Sequence, residues 1–310
     1  MSALICGSLA FDTIMVFHDR FKNHILPEQV HILNVSFLVP DLRREFGGCA
    51  GNIAYNLNML GGVGRPVGTI GVDFEPYARW MDECGVSREH LLVIPGSYTA
   101  QAYITTDKDD NQITAFHPGA MNQAHQIDVS RIAGCTLGMV SPDGRQGMIE
   151  HAAQFAEAGV PFIFDPGQGM PMFDGDSLLQ FAEQADWLAF NDYEAQLMME
   201  RTGKNLEQLA QMVEAVIVTR GGEGSLIVTR EKRYEIPVAP AKALVDPTGC
   251  GDAYRAGLLY GLMNDMDWET TGRIAALMGA IKIEHAGTQN HFVSKDVFAH
   301  RFEQAFDYRF

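Results

Sequence analysis

The chain reads as an α/β protein: a parallel sheet with helices on both faces, carrying a second, small β-sheet that acts as a lid. Two observations carry that reading. From about Leu137 onward, short apolar runs ("LGMVS", "PFIFD", "WLAF", "AVIVT") alternate with stretches of helix length, the rhythm of strands joined by crossover helices. By contrast, "HILNVSFLV" and "QAYITTDKDDNQITAF" mix polar and apolar residues, whereas a strand buried on both faces is almost continuously apolar. These two segments therefore belong to a sheet with one wet face.

Taken in order, Leu4 to Ser8 is a buried strand ending at Gly-Ser. His31 to Leu38 is expected as an exposed strand. "GGCAGNIAYNLNMLGG", Gly47 to Gly62, is a glycine-rich loop entering an apolar-periodic helix, and a strand follows near Arg65 to Ile70. Ala100 to Phe116 is strand, broken at "DKDDNQ", a turn signal. After the alternating region, "SLIVT" and "RYEIPV" pair as a hairpin ahead of "DPTGCGDAYRAG", Asp246 to Gly257. No internal repeat is present. The expected division is a core of residues 1–9, 47–97 and 119–310 and a lid of residues 10–46 and 98–118.

Composition narrows the function classes. The 310 residues are 46% hydrophobic and 20% charged, enough apolar material for a large core and unlike a disordered tract. A net charge of −16 argues against a nucleic-acid partner. No run of 18 uncharged apolar residues suggests a membrane span, and the N-terminus lacks the basic region of a signal peptide. The five cysteines (Cys6, Cys49, Cys84, Cys135, Cys250) are scattered with no C-x-x-C spacing, which fits a reducing cytoplasm. None of the ten histidines shows metal spacing; His285 and His291 are expected in a solvated loop.

"DPTGCGDAYRAG" carries the chemistry. The first N–H groups of a helix lack internal partners and favour an anion. The small residues Gly249, Cys250 and Gly251 let an anion approach them closely. A transferring phosphoryl group is an anion that needs such stabilisation during reaction. Asp252 at the same mouth is then a general base for an attacking hydroxyl; the plainer alternative is an Asp that caps its helix. No G-x-x-x-x-G-K-[ST] occurs, and "GSLAFD" after the first strand is not G-x-G-x-x-G, so the P-loop and dinucleotide-binding readings lack support.

"DPTGCGDAYRAGLL" resembles the second signature of the ribokinase-like, or phosphofructokinase-B, family of kinases. "GGCAGNIAYNLNMLGG" resembles its first, and "NDYE" (Asn191 to Glu194) is similar to its N-x-x-E motif. Cys250 departs from the usual Ala, Ser or Gly, which leaves the backbone N–H in place. The resemblance implies a ribokinase-like fold, ATP as phosphoryl donor and Mg2+, with Glu194 acting on the metal through water; it leaves a K+ requirement open. It further implies that Asp12 receives two sugar hydroxyls, which suits a carboxylate facing a vicinal diol, and that Asn52 is the second sugar contact.

A narrower resemblance, to bacterial adenosine kinases of the mycobacterial kind, rests on "LPEQVHILNVSFLVPDL", "AFHPGAM", "DPGQ" and "FNDYE". It implies a nucleoside pocket of Ser8, Asp12, Ser36, Gly48, Asn52, Phe116 and Gln168. Phe116 offers a face for a purine, and Ser36 and Gln168 offer hydrogen bonds to its edge. The pattern departs at Ala102, where an aromatic is expected, with Tyr103 beside it on the opposite pleat. For the donor it implies Asn191, Thr219, Arg220, Gly222 and Gly224, the last four in "TRGGEGS". "EHAGTQNH" is expected to border the adenine of ATP. Arg255, one turn beyond Asp252, is expected on phosphate or paired with that acid, and the Cys250 thiol to have a lowered pKa at the helix mouth.

The activity so implied is phosphorylation of the 5'-hydroxyl of adenosine. Rival readings are a kinase of a free sugar such as ribose or fructose, and an inactive nucleoside-binding protein. An exposed lid edge predicts a homodimer through the lid.

Overall fold

A computed structural model describes residues 2–25, 35–109 and 111–310. The thirteen strands among these residues form two sheets. The first lid strand occupies Ala10–Val16 (β2), directly after β1, Ala3–Cys6; β3 is Asp41–Gly47. Then come β4 Gly64–Ile70, β5 His90–Val93, β6 Ala100–Thr106, β7 Gln112–His117, β8 Leu137–Val140 and β9 Phe162–Phe164. The last four are β10 Trp187–Asn191, β11 Ala215–Thr219, β12 Ser225–Thr229 and β13 Arg233–Ile236. The large sheet runs β13-β12-β11-β10-β9-β8-β1-β4-β5, and the small one β3-β2-β6-β7.

In the large sheet every pairing is parallel except β11–β12 and β12–β13, the expected hairpin pair. The apolar strand runs are explained by burial on both faces. Ala3, Ile5, Leu137, Met139, Ile163, Ala189 and Ile217 join one core; the alternating Leu4, Cys6, Val140, Phe162, Phe164, Leu188 and Val216 join the other. The first core is closed by α1 Cys49–Leu60, α2 Glu75–Glu83, α7 Cys250–Met263 and α8 Trp268–Ile283. The second is closed by α3 Arg145–Ala158, α4 Gly175–Gln184, α5 Asp192–Thr202 and α6 Leu206–Leu209. A third cluster seats α9, Lys295–Phe306, against α8.

The lid sheet forms from β2, β3, β6 and β7, and β7 is exposed along its whole length. The strand expected over His31 to Leu38 differs: residues 31–34 lie outside the described residues, and 35–40 have no regular structure. The third lid strand lies later, at β3, whose outer half is wet. Between lid and core, Gly48 has φ +86°, and a Cβ there would stand 2.5 Å from the Ser8 carbonyl oxygen. Only glycine allows both the left-handed backbone and that approach.

Candidate active site

The parallel strands place their carboxyl ends on one edge, where ligands gather in open α/β sheets. Ser8 follows β1, Asp165 follows β9, Asn191 ends β10 and Thr219 ends β11. α7 starts over the same edge. Gly249 precedes it at φ +80°, a left-handed cap that a Cβ would strain. The Cys250 N–H already donates to the Pro247 carbonyl at 3.1 Å, which corrects its expected place as an anion donor. Gly251 and Asp252 keep the first-turn N–H groups that have no intrahelical carbonyl to meet.

Asp252 lies half-buried at this mouth. Its Oδ2 accepts a 2.8 Å hydrogen bond from Asn52 Nδ2. Burial pushes its pKa up to about 6 against the opposing Asn52 bond, and the nearby Asp165 carboxylate pushes it further. A base with that pKa is mostly ionised at neutral pH and still takes a proton readily. Turnover is therefore expected to rise with pH through about 6 and level off above it. A pH–rate profile checks this: the deprotonated form works, so activity is lost on the acid side.

Asn52 is not the N-cap of its helix; Gly48 is. Asn52 is buried, with Oδ1 accepting from Gln289 Nε2 at 2.9 Å. Gln289 in turn accepts from Trp80 Nε1 at 2.9 Å and donates to the Tyr77 hydroxyl at 2.6 Å. Asn52 thus orients Asp252. The segment "EHAGTQNH" holds Gln289, which serves this network. His291 is also not solvated: it is fully buried and bonded to Asn56 Oδ1 at 2.7 Å.

On the lid, cross-strand register puts Glu45, Asp12, Ala102 and Phe116 in one row, so their side chains share a face. Asp12 lies against Gly47, just before the α1 mouth; a Cβ on that glycine would stand 2.6 Å from Oδ2. Burial and the neighbouring Glu45 raise the Asp12 pKa to about 6. Phe116 is 52% exposed, while Ala102, between it and Asp12 in the row, is buried. Tyr103 lies on the opposite pleat, bonded to Gln101. Ser8 Oγ accepts from the Cys49 N–H at 3.2 Å, while Ser36 and Gln168 are exposed.

Asp165 is the residue the sequence reading missed. Arg255 grips it with two bonds, Nε–Oδ2 at 3.0 Å and Nη2–Oδ1 at 3.2 Å, both partners being buried. Arg255 therefore pairs with Asp165 rather than with Asp252. Asp165, Glu194 and Asp252 all act on this one guanidinium. Asp165 opens "DPGQ", but nothing in the sequence joins residues ninety positions apart. The N-x-x-E motif forms a capping box: Asn191 accepts from the Glu194 N–H at 2.7 Å, and Glu194 accepts from the Asn191 N–H and side-chain amide.

Across α7 from Asn52 lies an apolar cavity of about 400 Å³, lined among others by Thr219, Gly222, Gly224, Leu244, Cys250 and Gly251. Gly221, Gly222 and Gly224 in its lining come from the predicted donor loop. Arg220 is absent from the lining and pairs with Glu235 at 2.5 Å. Cys250 does line the cavity, but burial pushes its thiol up to about 11, with the Asp246 and Asp252 carboxylates adding to the rise. The expected lowering at the helix mouth is thereby overturned.

A family model described as "pfkB family carbohydrate kinase" matches residues 10–295. The chain is 53% identical to a Burkholderia thailandensis nucleoside kinase solved in complex with inosine, with a TM-score of 0.91 and 99% of each chain covered. A second structure of that kinase, in complex with ADP-inosine, is 54% identical with a TM-score of 0.88, covering 99% of this chain and 97% of that one. A Methanocaldococcus jannaschii nucleoside kinase is 30% identical over 273 residues, 87% of this chain and 90% of the relative. With a parallel-sheet core, a glycine-led helix mouth bearing Asp252 and a family match over nearly its whole length, this chain belongs to the pfkB family of carbohydrate kinases.

Proposed function

We propose that the protein is an ATP-dependent nucleoside kinase that phosphorylates the 5'-hydroxyl of a purine nucleoside, adenosine being the acceptor expected from the sequence. One observation carries this reading. Asp252 stands at the helix mouth between the apolar cavity and the Asn52 side, the place a base needs when donor and acceptor meet in line. The similar kinase with inosine bound supports a nucleoside over a free sugar. In this reading Asp12 and Asn52 hold the ribose and Phe116 stacks on the base, with Ser8, Ser36, Gly48 and Gln168 completing the pocket. The N–H groups of Gly251 and Asp252 meet the transferring phosphoryl group. Thr219, Gly222 and Gly224 border ATP, with Asn191 near its phosphates. The lid excludes water, a competing acceptor.

Mg2+ fits an outer position. Among the described residues no three His, Cys, Asp or Glu side chains gather into a metal cage, so the ion would keep its waters, as it commonly does. Both Glu194 oxygens accept bonds from Asn191, yet each retains a second lone pair for a metal-bound water. Bound with ATP, the ion would neutralise phosphate charge.

The test is ADP release from ATP and Mg2+ in parallel on adenosine, inosine, guanosine, ribose and fructose. Turnover confined to nucleosides supports the reading; turnover on a free sugar alone overturns it. Phe116→Ala is expected to raise KM for the nucleoside about tenfold, from a stacking loss of about 1–3 kcal/mol, and to leave kcat nearly unchanged. A silent Phe116→Ala would point to a base-free acceptor.

A further inference from the structure

Near the end of α8, Lys282 is fully buried. An ammonium removed from water is costly unless its charge and N–H groups are satisfied. This one donates to two backbone carbonyls, Asp246 O at 2.8 Å and His285 O at 3.1 Å. The two oxygens belong to different segments: the loop that leads into α7, and the turn that follows α8.

The same junction is stitched by other bonds. The Val245 and Asp246 N–H groups donate to the Ile283 carbonyl. The Asp246 carboxylate accepts from the Thr248 and Gly287 N–H groups, each at 2.9 Å. Asp246 is therefore held at its N–H, its carbonyl and both carboxylate oxygens, three residues before the helix mouth. The turn after α8 continues into Gln289, which orients Asn52. Lys282 sits where the two supports of Asp252 converge.

We propose that Lys282 is a positioning residue whose ammonium acts as a built-in monovalent cation, clamping the Asp246 and His285 carbonyls and so fixing the Gly249–Asp252 mouth without an ion from solution. Carbonyl oxygens are also how proteins hold K+, and an ammonium and K+ are similar in size and charge. A dissolved ion at this junction would need the very oxygens that Lys282 occupies. The proposal rests on the kinase reading above and deepens it: the enzyme is indifferent to K+, Na+ and NH4+.

The experiment compares wild type and Lys282→Ala in chloride salts of K+, NH4+ and tetramethylammonium, reading both nucleoside kinase turnover and ADP affinity by calorimetry. Wild type is expected to give the same kcat and the same ADP affinity in all three. Lys282→Ala is expected to lose about 10²-fold in kcat in tetramethylammonium, the cost of a displaced catalytic mouth, and to recover in K+ or NH4+. A wild-type requirement for K+ overturns the proposal without any variant. So does a folded Lys282→Ala that stays fully active, or one that loses activity and no cation restores. Should the alanine variant fail to fold, Lys282→Met gives the same comparison, because it keeps the apolar stem and leaves the Asp246 and His285 carbonyls free for a dissolved cation. The ADP measurement separates the two readings: a wild type that turns over no nucleoside defeats the proposed function, while the salt dependence of ADP binding still decides the role of Lys282.

Discussion

Asp252→Asn is expected to lower kcat by about 10²–10⁴-fold, the usual worth of a positioned general base, while nucleoside affinity stays near the wild-type value. The substitution is well matched in shape. An asparagine amide oxygen accepts the bond from Asn52 Nδ2 that the Asp252 carboxylate accepts at 2.8 Å, so the helix mouth keeps its geometry and loses only the basic oxygen. Single-turnover kinetics with calorimetric nucleoside binding check it. If the protein were only a nucleoside binder, neither quantity would move. Equal loss of binding and turnover would instead assign Asp252 to holding the ligand.

The second large effect concerns Arg255. Arg255→Leu removes the only side-chain partner that the buried Asp165 carboxylate has among the described residues, and breaking a buried ion pair by deleting one member typically costs about 3–5 kcal/mol. A fall of that size in denaturant unfolding is expected. Adding Asp165→Leu should recover much of it, since the stranded charge then disappears. The kinetic readout is independent of the stability. Arg255 also lowers the Asp252 pKa, so without it the acid limb of the pH–rate profile moves to higher pH. A profile that stays in place would mean that the guanidinium is too well screened from Asp252 to matter.

Much of this architecture was legible because burial leaves marks on single strands. "LGMVS", "PFIFD", "WLAF" and "AVIVT" are apolar at successive positions, and each supplies side chains to both cores. The helix mouth was legible because Gly249 and Asp252 are adjacent in the chain and their chemistry is local. The missing parts are those made by tertiary contact. Asp165 and Arg255, or Gln289 and Asn52, become partners only when distant elements meet, and neither member looks unusual alone. Lys282 sits at the end of a helix and its burial cannot be read from spacing. Cys250 failed for a related reason: the helix terminus argues for a low thiol pKa, but burial, known only from the fold, raises it, and the neighbouring Asp246 and Asp252 carboxylates add to the rise. The lid was half legible: alternation marked β6 and β7, whereas no strand was expected at β2, "AFDTIMV", although it falls in the stretch assigned to the lid.

The strand order of the large sheet also bears on how the chain is made. β1 is synthesised before both of its neighbours, lying inside the sheet between β4 and β8, and Ala3 pairs with Gly64 on one side and Leu137 on the other. On a ribosome, one flank of β1 can close early, but the other must wait until nearly half of the polypeptide has emerged. Contacts so distant in sequence form slowly, and an apolar strand with one open edge is a target for wrong partners in the interval. Strand β1 thus needs shielding while its second flank is open, and the lid strand β2, emerging immediately behind it, must stay out of the growing sheet.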